Sequence, residues 1–597
     1  FIVCCRGLVS LALCNKVELP DRPNIIFIVI DDLGWDDVSF HGSNQIMTPN
    51  IDMLAYQGVI LQKYYTDVYG TPSRSALFTG KYSIRTGTQG ISIAASEDRS
   101  VPISENLLPS YLQDIGYSTH LIGKWDLGKS RNDSVPTKRG FDTFYGFLGS
   151  SVDYYTYNCV ENQNDTSFYG LDFFDNMKPV EDNRGHITDV LTTRAVELIR
   201  NHDTSAPLYL HLSHAAPHTG GGYVNLQVPE ENIAANDHIA HTARRLYAGL
   251  VTGVDKSVGN IVAALAERNI LQNSLIILVS DNGAASTGLS RNFGSNLPLR
   301  GTKGSPWEGA VRSPAIIWQA SLPSKIWNGM FHVTDWLPTL IAAAGGNLNG
   351  TIDGVSQWHA ITNNEAPPRS DMLLAMDDLE NWAALREGDF KIIIGNVDKA
   401  KSGYYGRELK TFRLPVFSYG SVLFSSEISN VFKETLGNDL DIEYAVKKRN
   451  YSNLVPQMEQ QKLEELCVPS TAKGCLFNIS ADPAEANDLW YTYPEVVKHL
   501  LLRLRVYWAQ LNPRKPPMFD ERANPALRNF IWYPWVEADE KLPEALQTPP
   551  SFPLRVSAGE LQYLVNLNIN SFKDSFINYM SGVADSLVKS IGELFSL

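Results

Sequence analysis

Two continuous apolar runs along the chain end alike. Asn24-Ile-Ile-Phe-Ile-Val-Ile30 stops at Asp31-Asp32, and Ser274-Leu-Ile-Ile-Leu-Val279 stops at Ser280-Asp281-Asn282-Gly283. Runs of this length, rich in β-branched residues and without polar alternation, predict central parallel strands buried on both faces. A shorter run at Pro207 to Leu212 predicts another strand, and apolar periodicity at Thr192 to Asn201 and at His241 to Glu267 predicts helices. This alternation predicts an α/β sheet flanked by helices. In such sheets the ligand sits outside the carboxyl ends of the strands, where both acidic pairs fall.

A turn followed by a strand at Leu385 to Ile394, and a helix pattern at Pro494 to Gln510, predict a smaller C-terminal α+β domain. Phe572, Phe576, Met580, Val583, Leu587, Ile591 and Leu594 recur at helical spacing. They predict an amphipathic helix docked on the body of the protein, since its polar face lacks the Lys and Arg of a membrane-surface helix. At the other end, the apolar run Phe1 to Cys14 gives way to polar Asn15, the shape of a secretory signal peptide. The expected division is a signal peptide over 1–19, an α/β domain over 22–384, a C-terminal α+β subdomain over 385–543, and an extension with the amphipathic helix over 544–597.

Charge narrows the partners. With 51 Lys and Arg against 65 Asp and Glu, the net charge is −14, which excludes a general nucleic-acid binder because phosphate affinity comes mostly from clustered basic residues. No stretch after the leader reaches the ~18 apolar residues of a membrane span. Cys467 and Cys475 are close enough in sequence for a local disulfide in an oxidising compartment, which leaves Cys159 unpaired. Sequons at Asn132, Asn164, Asn349, Asn450 and Asn478 agree with the leader. The expected location is the secretory pathway, lysosomal or extracellular.

Asp31, Asp32, Asp281 and Asn282 offer only hard oxygen ligands, which favours Ca²⁺ or Mg²⁺ over zinc. One Asp pair at a strand end reads as a helix N-cap; two pairs at separate strand ends turn the reading toward one shared cation. Arg74, Lys124, His218 and Lys303 stand in apolar or Gly-rich settings. A cation plus several basic side chains describes a site for a tetrahedral dianion or its ester.

Several ordered segments carry a resemblance: Asp31-Asp32-Leu-Gly-Trp35, Thr48-Pro-Asn-Ile-Asp-Met-Leu-Ala55, Thr71-Pro-Ser-Arg-Ser-Ala-Leu-Phe-Thr-Gly-Lys81 and Ile122-Gly-Lys-Trp-Asp-Leu-Gly128. They resemble the signature segments of the sulfatase family. Pro136 to Tyr145, Pro298 to Gly309 and Asp335 to Leu340 are similar to its arylsulfatase B, N-acetylgalactosamine-4-sulfatase, subgroup. The resemblance implies an alkaline-phosphatase-like fold and hydrolysis of sulfate esters, with sulfated glycans or aryl sulfates as partners. It also implies a Cys converted to formylglycine, whose hydrate attacks sulfur. Carried over by position, Asp31, Asp32, Asp281 and Asn282 would hold one Ca²⁺, and Arg74 the formylglycine hydrate. Lys124, His218 and Lys303 would grip the sulfate or protonate the leaving group.

Two positions depart from the family pattern. Gly70 stands where the formylglycine-forming Cys belongs, and Asp126 replaces a His. Glycine has nothing to oxidise or to attack with, and a carboxylate beside sulfate is repulsive by about 4 kcal/mol at contact distance with an effective dielectric of about 20. Three accounts compete: a modified residue written as Gly; Thr71 as substitute nucleophile, although it is one residue off register with its side chain expected to point elsewhere; and a pseudosulfatase that keeps the anion site without turnover. Two losses on the nucleophile side with the cation ligands intact favour the third. Enzyme and non-catalytic binder of sulfated glycans therefore remain two readings. The flanking Pro72 and Arg74 persist, so the formylglycine-generating enzyme becomes a partner only if the Cys is restored.

Overall fold

The computed structural model describes residues 22–536, apart from 164–165, 183–184, 223, 289, 411–417, 438–439 and 455–465, together with residues 551–554. The expected signal peptide and the amphipathic helix at 572–594 lie outside the described residues. Ten strands build the main sheet: β1 (Asn24–Ile30), β2 (Val59–Leu61), β3 (Ser118–Lys124), β4 (Thr143–Phe147), β5 (Phe174–Asp175), β6 (Lys178–Pro179), β7 (Leu208–Ser213), β8 (Ser274–Ser280), β9 (Ala315–Trp318) and β10 (Lys325–Trp327). Their spatial order is β10-β2-β9-β8-β1-β7-β3-β4-β5-β6. The central five, β8-β1-β7-β3-β4, are parallel, and antiparallel pairings flank them on both sides.

The continuous apolar run of β1 follows from its place at the centre. Ile26, Ile28 and Ile30 pack into one core with Val254 and Val258, while Ile25, Phe27 and Val29 pack into the other with Trp336 and Leu337. Successive side chains point to opposite faces, so a strand covered on both sides favours apolar residues at every position until it ends. The long helix α4 (Thr242–Glu267) lies over the first face against α1 (Pro49–Gln57) and α3 (Ile187–Asn201). The helix α2 (Gly70–Thr79) lies on the other face, where Ala76, Leu77 and Phe78 join the second core.

A second, antiparallel sheet runs β11 (Asp371–Asp377), β12 (Trp382–Glu387), β13 (Phe390–Gly395) and β14 (Cys475–Asn478) in that order. It begins ahead of the boundary expected at 385, which would cut through β12; Leu385 to Glu387 end a strand rather than open a turn. One face packs Leu385, Ile392, Ile394 and Leu476 against Leu500, Leu504 and Trp508 of α5 (Pro494–Ala509). The other packs Ile393 and Phe477 against Trp307 and Val311 of the larger domain. Lys391 is fully buried there between Glu308, at 3.0 Å, and Glu485, at 2.8 Å. Cys467 and Cys475 form the expected disulfide, and Cys159 is a buried free thiol.

Candidate functional site

The site forms beyond the carboxyl ends of β1, β3, β7 and β8. Because β1 and β8 pair in register with Ile30 opposite Ser280, Asp31-Asp32 and Asp281-Asn282 leave the sheet side by side. Asp32 adopts a left-handed backbone, φ +63°, which Asp tolerates better than most residues. Its N–H donates to Asp281 Oδ1 at 3.1 Å and its Oδ1 accepts from Asn282 Nδ2 at 2.6 Å. The two strand ends are thus tied through the very side chains that stop the apolar runs.

Basic groups close around this acidic pair. Lys124, the last residue of β3, donates to Asp31 Oδ2 at 2.6 Å and lies 3.7 Å from Asp126 Oδ2. Gly123 before it has φ +108°, and a Cβ there would stand 1.9 Å from Ser213 O, so only glycine lets β3 run this close to β7. Arg74 places Nε and Nη2 on Asp281 Oδ2, at 3.2 and 2.9 Å, and Nη1 on the Ser213 hydroxyl. Lys303 Nζ is 2.6 Å from Asp32 Oδ1. His218 directs Nδ1 to Thr219 O at 2.6 Å, so in the neutral ring the proton sits there and Nε2 presents a lone pair, 3.8 Å from Asp32 Oδ2. Every site position read from the sequence is therefore part of one cluster.

The carboxyl groups of Asp31, Asp32, Asp126 and Asp281 meet three cations, Arg74, Lys124 and Lys303, here; the charges balance without Asp126, and its ionised form leaves an excess of negative charge. Burial pushes the Asp31 carboxyl up, but Lys124, His218 and Arg74 outweigh it and hold its pKa below the usual value. Burial acts against the Lys303 ammonium, yet Asp32, Asp31 and Asp281 raise its pKa above the ordinary lysine range. For Asp126 burial wins over Lys124, Arg74 and the Thr71 hydroxyl, and the pKa is raised.

Asp31 Oδ1, Asp32 Oδ2, Asn282 Oδ1 and Asp126 Oδ2 are buried oxygens without a hydrogen-bond donor. Each unsatisfied buried acceptor costs roughly 1–3 kcal/mol, more when charged. A divalent cation between the two strand ends would satisfy such oxygens, and Asp31, Asp32 and His218 offer ligand atoms within 4.8 Å of one another. The donor set, mostly oxygen with one imidazole nitrogen, fits a metal ion.

Position 70 does not fit the group that the family pattern implies. Gly70 opens α2, and a Cβ built on it would lie 3.0 Å from Asp126 Oδ2, 3.1 Å from Asp281 Oδ2 and 3.6 Å from Lys124 Nζ. The backbone thus aims this position into the centre of the cluster. It carries no side chain to convert, and the Asp126 carboxyl crowds the place its first carbon would take. Thr71 departs from expectation: its hydroxyl does not turn away from the site but donates to Asp126 Oδ1 at 2.9 Å and accepts from Ile93 N at 3.1 Å. Both bonds commit it to holding Asp126. Thr71 in this role, and Ser213 as the anchor of Arg74, were not evident in the sequence; the position of Ser213 at the carboxyl end of β7 was the available signal.

The sulfatase family model matches residues 23–346, the stretch that contains every residue of this cluster. Arylsulfatase J of Mus musculus is 36% identical over 528 residues, covering 87% of this chain and 81% of that protein. N-acetylgalactosamine-6-sulfatase of Sus scrofa is 31% identical over 343 residues, covering 55% of this chain and 63% of that protein. Among solved structures, Ps i-CgsB in complex with k-i-k-neocarrahexaose superposes with a TM-score of 0.63 at 27% identity, over 85% of this chain and 97% of that one. A match over more than half of the chain, an arylsulfatase relative along most of its length, and a sheet whose strand ends gather these acidic and basic groups agree: the chain belongs to the sulfatase family.

Proposed function

We infer that this chain binds sulfate esters at a Ca²⁺-dependent site and that the turnover typical of its family is absent or residual. Sulfuric ester hydrolysis is the chemistry of the family, and the observation that separates this chain from it is position 70: aimed into the cluster and bare. When bound, the cation supplies positive charge against the sulfate oxygens. Asp31, Asp32 and Asn282 would hold it through their unpartnered oxygens, with Asp281 alongside. As the family pattern implies, Lys303 and Lys124 would grip sulfate oxygens, and His218 and Lys303 would serve the ester oxygen. Arg74, bonded to Asp281 and Ser213, keeps the floor of the site rigid. With Gly70 there is no group to form a bond to sulfur, and Asp126 adds repulsion where the family has a His.

The ligand class is a sulfated glycan or an aryl sulfate, with N-acetylgalactosamine sulfates favoured by the arylsulfatase B-like segments. A secretory location, lysosomal or extracellular, is supported by the Cys467–Cys475 disulfide; no described helix is long and apolar enough to cross a membrane. Loss of one charge-assisted hydrogen bond costs about 1.5–3 kcal/mol, so Lys303→Ala is expected to weaken binding of a sulfated saccharide by roughly 10- to 100-fold. Calorimetric titration in Ca²⁺ and after chelation reads this. Binding that survives both Lys303→Ala and chelation would place the glycan site elsewhere.

A further inference from the structure

Lys303 does not stand alone at the edge of the site. Tyr69, immediately before Gly70, forms the adjoining wall, with its ring centre 6.0 Å from Lys303 Nζ. A second lysine reaches the same ring from the C-terminal region: Lys401 Nζ also lies 6.0 Å from the ring centre, carried by the turn Lys399–Lys401. That turn is anchored. Arg300 Nε donates to Ser402 O at 2.8 Å, Trp307 Nε1 donates to Ser402 Oγ at 3.0 Å, and Gly301 N donates to Gly403 O at 2.8 Å. The segment that presents Lys303 and the segment that presents Lys401 are therefore one bonded unit.

The charge of Lys401 is not used inside that unit. Arg74, Lys124 and Lys303 each touch a carboxylate. Lys401 has only the Tyr69 hydroxyl at 3.4 Å and the Gly304 carbonyl at 3.5 Å, both long and both neutral, and no carboxylate partner among the described residues. In a chain of net charge −14, a half-buried ammonium that shares Tyr69 with the sulfate-directed lysine and has no carboxylate partner among the described residues can pair with an anion. The Tyr69 O–H can donate alongside it.

We propose that Lys401 and Tyr69 form a second anion subsite, so that the ligand is a glycan bearing a further acidic group, sulfate or carboxylate, on the sugar next to the bound sulfate ester. This rests on the sulfate-site reading and narrows its ligand from aryl sulfates to multiply acidic saccharides. The contribution of a rim charge is screened by salt, so it is read best at low ionic strength.

The test is calorimetric titration of the full chain in Ca²⁺ with three saccharides: an O-sulfated N-acetylhexosamine, the same sugar linked to a uronic acid, and the same disaccharide with a second sulfate in place of the carboxylate. One or both disaccharides should bind about five- to tenfold tighter than the monosaccharide, as expected of a partly exposed charge pair with a hydrogen bond. Which disaccharide gains identifies the acid. Lys401→Ala should erase the gain and leave monosaccharide affinity and Tm unchanged, and Tyr69→Phe should erase part of it. Equal affinity for all three saccharides, or a gain that persists in Lys401→Ala, overturns the subsite while the sulfate site stands. Failure of all three to bind overturns the sulfate reading and the subsite with it.

Discussion

Gly70→Cys combined with Asp126→His, coexpressed with the formylglycine-generating enzyme, is expected to hydrolyse an aryl sulfate, and Gly70→Cys alone to do so about 10² to 10⁴ times more slowly. The range is the usual worth of a positioned acid or base. The geometry supports both halves of this expectation. A Cβ at position 70 points between Lys124 and Asp281, so a side chain restored there enters the cluster rather than the protein interior. The same Cβ meets Asp126 Oδ2 at 3.0 Å, so in the single variant the new side chain must displace a carboxyl that Thr71 holds in place. Histidine is among the residues that accept the left-handed backbone of position 126, φ +55°, so Asp126→His brings no new backbone strain. Peptide mass reports conversion of the Cys independently of rate. Formylglycine present in an inactive double variant would mean that the pocket has decayed beyond these two positions.

Ca²⁺ at 100 times its Kd should stabilise the unmutated protein by about 2.7 kcal/mol, the mass-action value for a ligand that binds only the native state. The unpartnered oxygens of Asp31, Asp32 and Asn282 supply the driving force. Asp31→Asn preserves shape but halves the charge contributed by the first strand end, and should remove most of the Ca²⁺-dependent rise in Tm. The readout is the increment between metal-free and Ca²⁺-loaded protein, so a change in the baseline from freeing Lys124 does not confuse it. An increment that is nil in the parent, or undiminished in Asp31→Asn, would move the cation away from these residues.

How much of this was legible in the chain depends on how local each signal is. The ends of β1 and β8 were readable because both strands, buried on both faces, run apolar until they stop, so Asp31, Asp32, Asp281 and Asn282 announce a boundary. Arg74, Lys124, His218 and Lys303 stood out as charges in apolar or Gly-rich surroundings, but their convergence needed the tertiary fold. Gly70 and Asp126 are unremarkable residues by composition and periodicity; only the resemblance marked them. The bond from Thr71 to Asp126 and the anchoring of Arg74 by Ser213 join segments separated by 55 and 139 residues, beyond the reach of any local pattern. The same holds for Lys401, which lies 332 residues from Tyr69 in an ordinary polar turn. The early start of the second sheet went unread because Asp371 to Asp377, DMLLAMD, shows neither clean alternation nor a β-branched run.

Steady-state hydrolysis of an aryl sulfate by the unmutated, Ca²⁺-loaded protein tests the loss of the nucleophile most directly. Release of the aryl alcohol should not rise above the rate in buffer with the protein omitted, even when the protein binds a sulfated saccharide under the same conditions. Turnover of about 1 s⁻¹ or faster, the lower end of ordinary enzyme rates, would contradict it and return this chain to the catalytic members of its family.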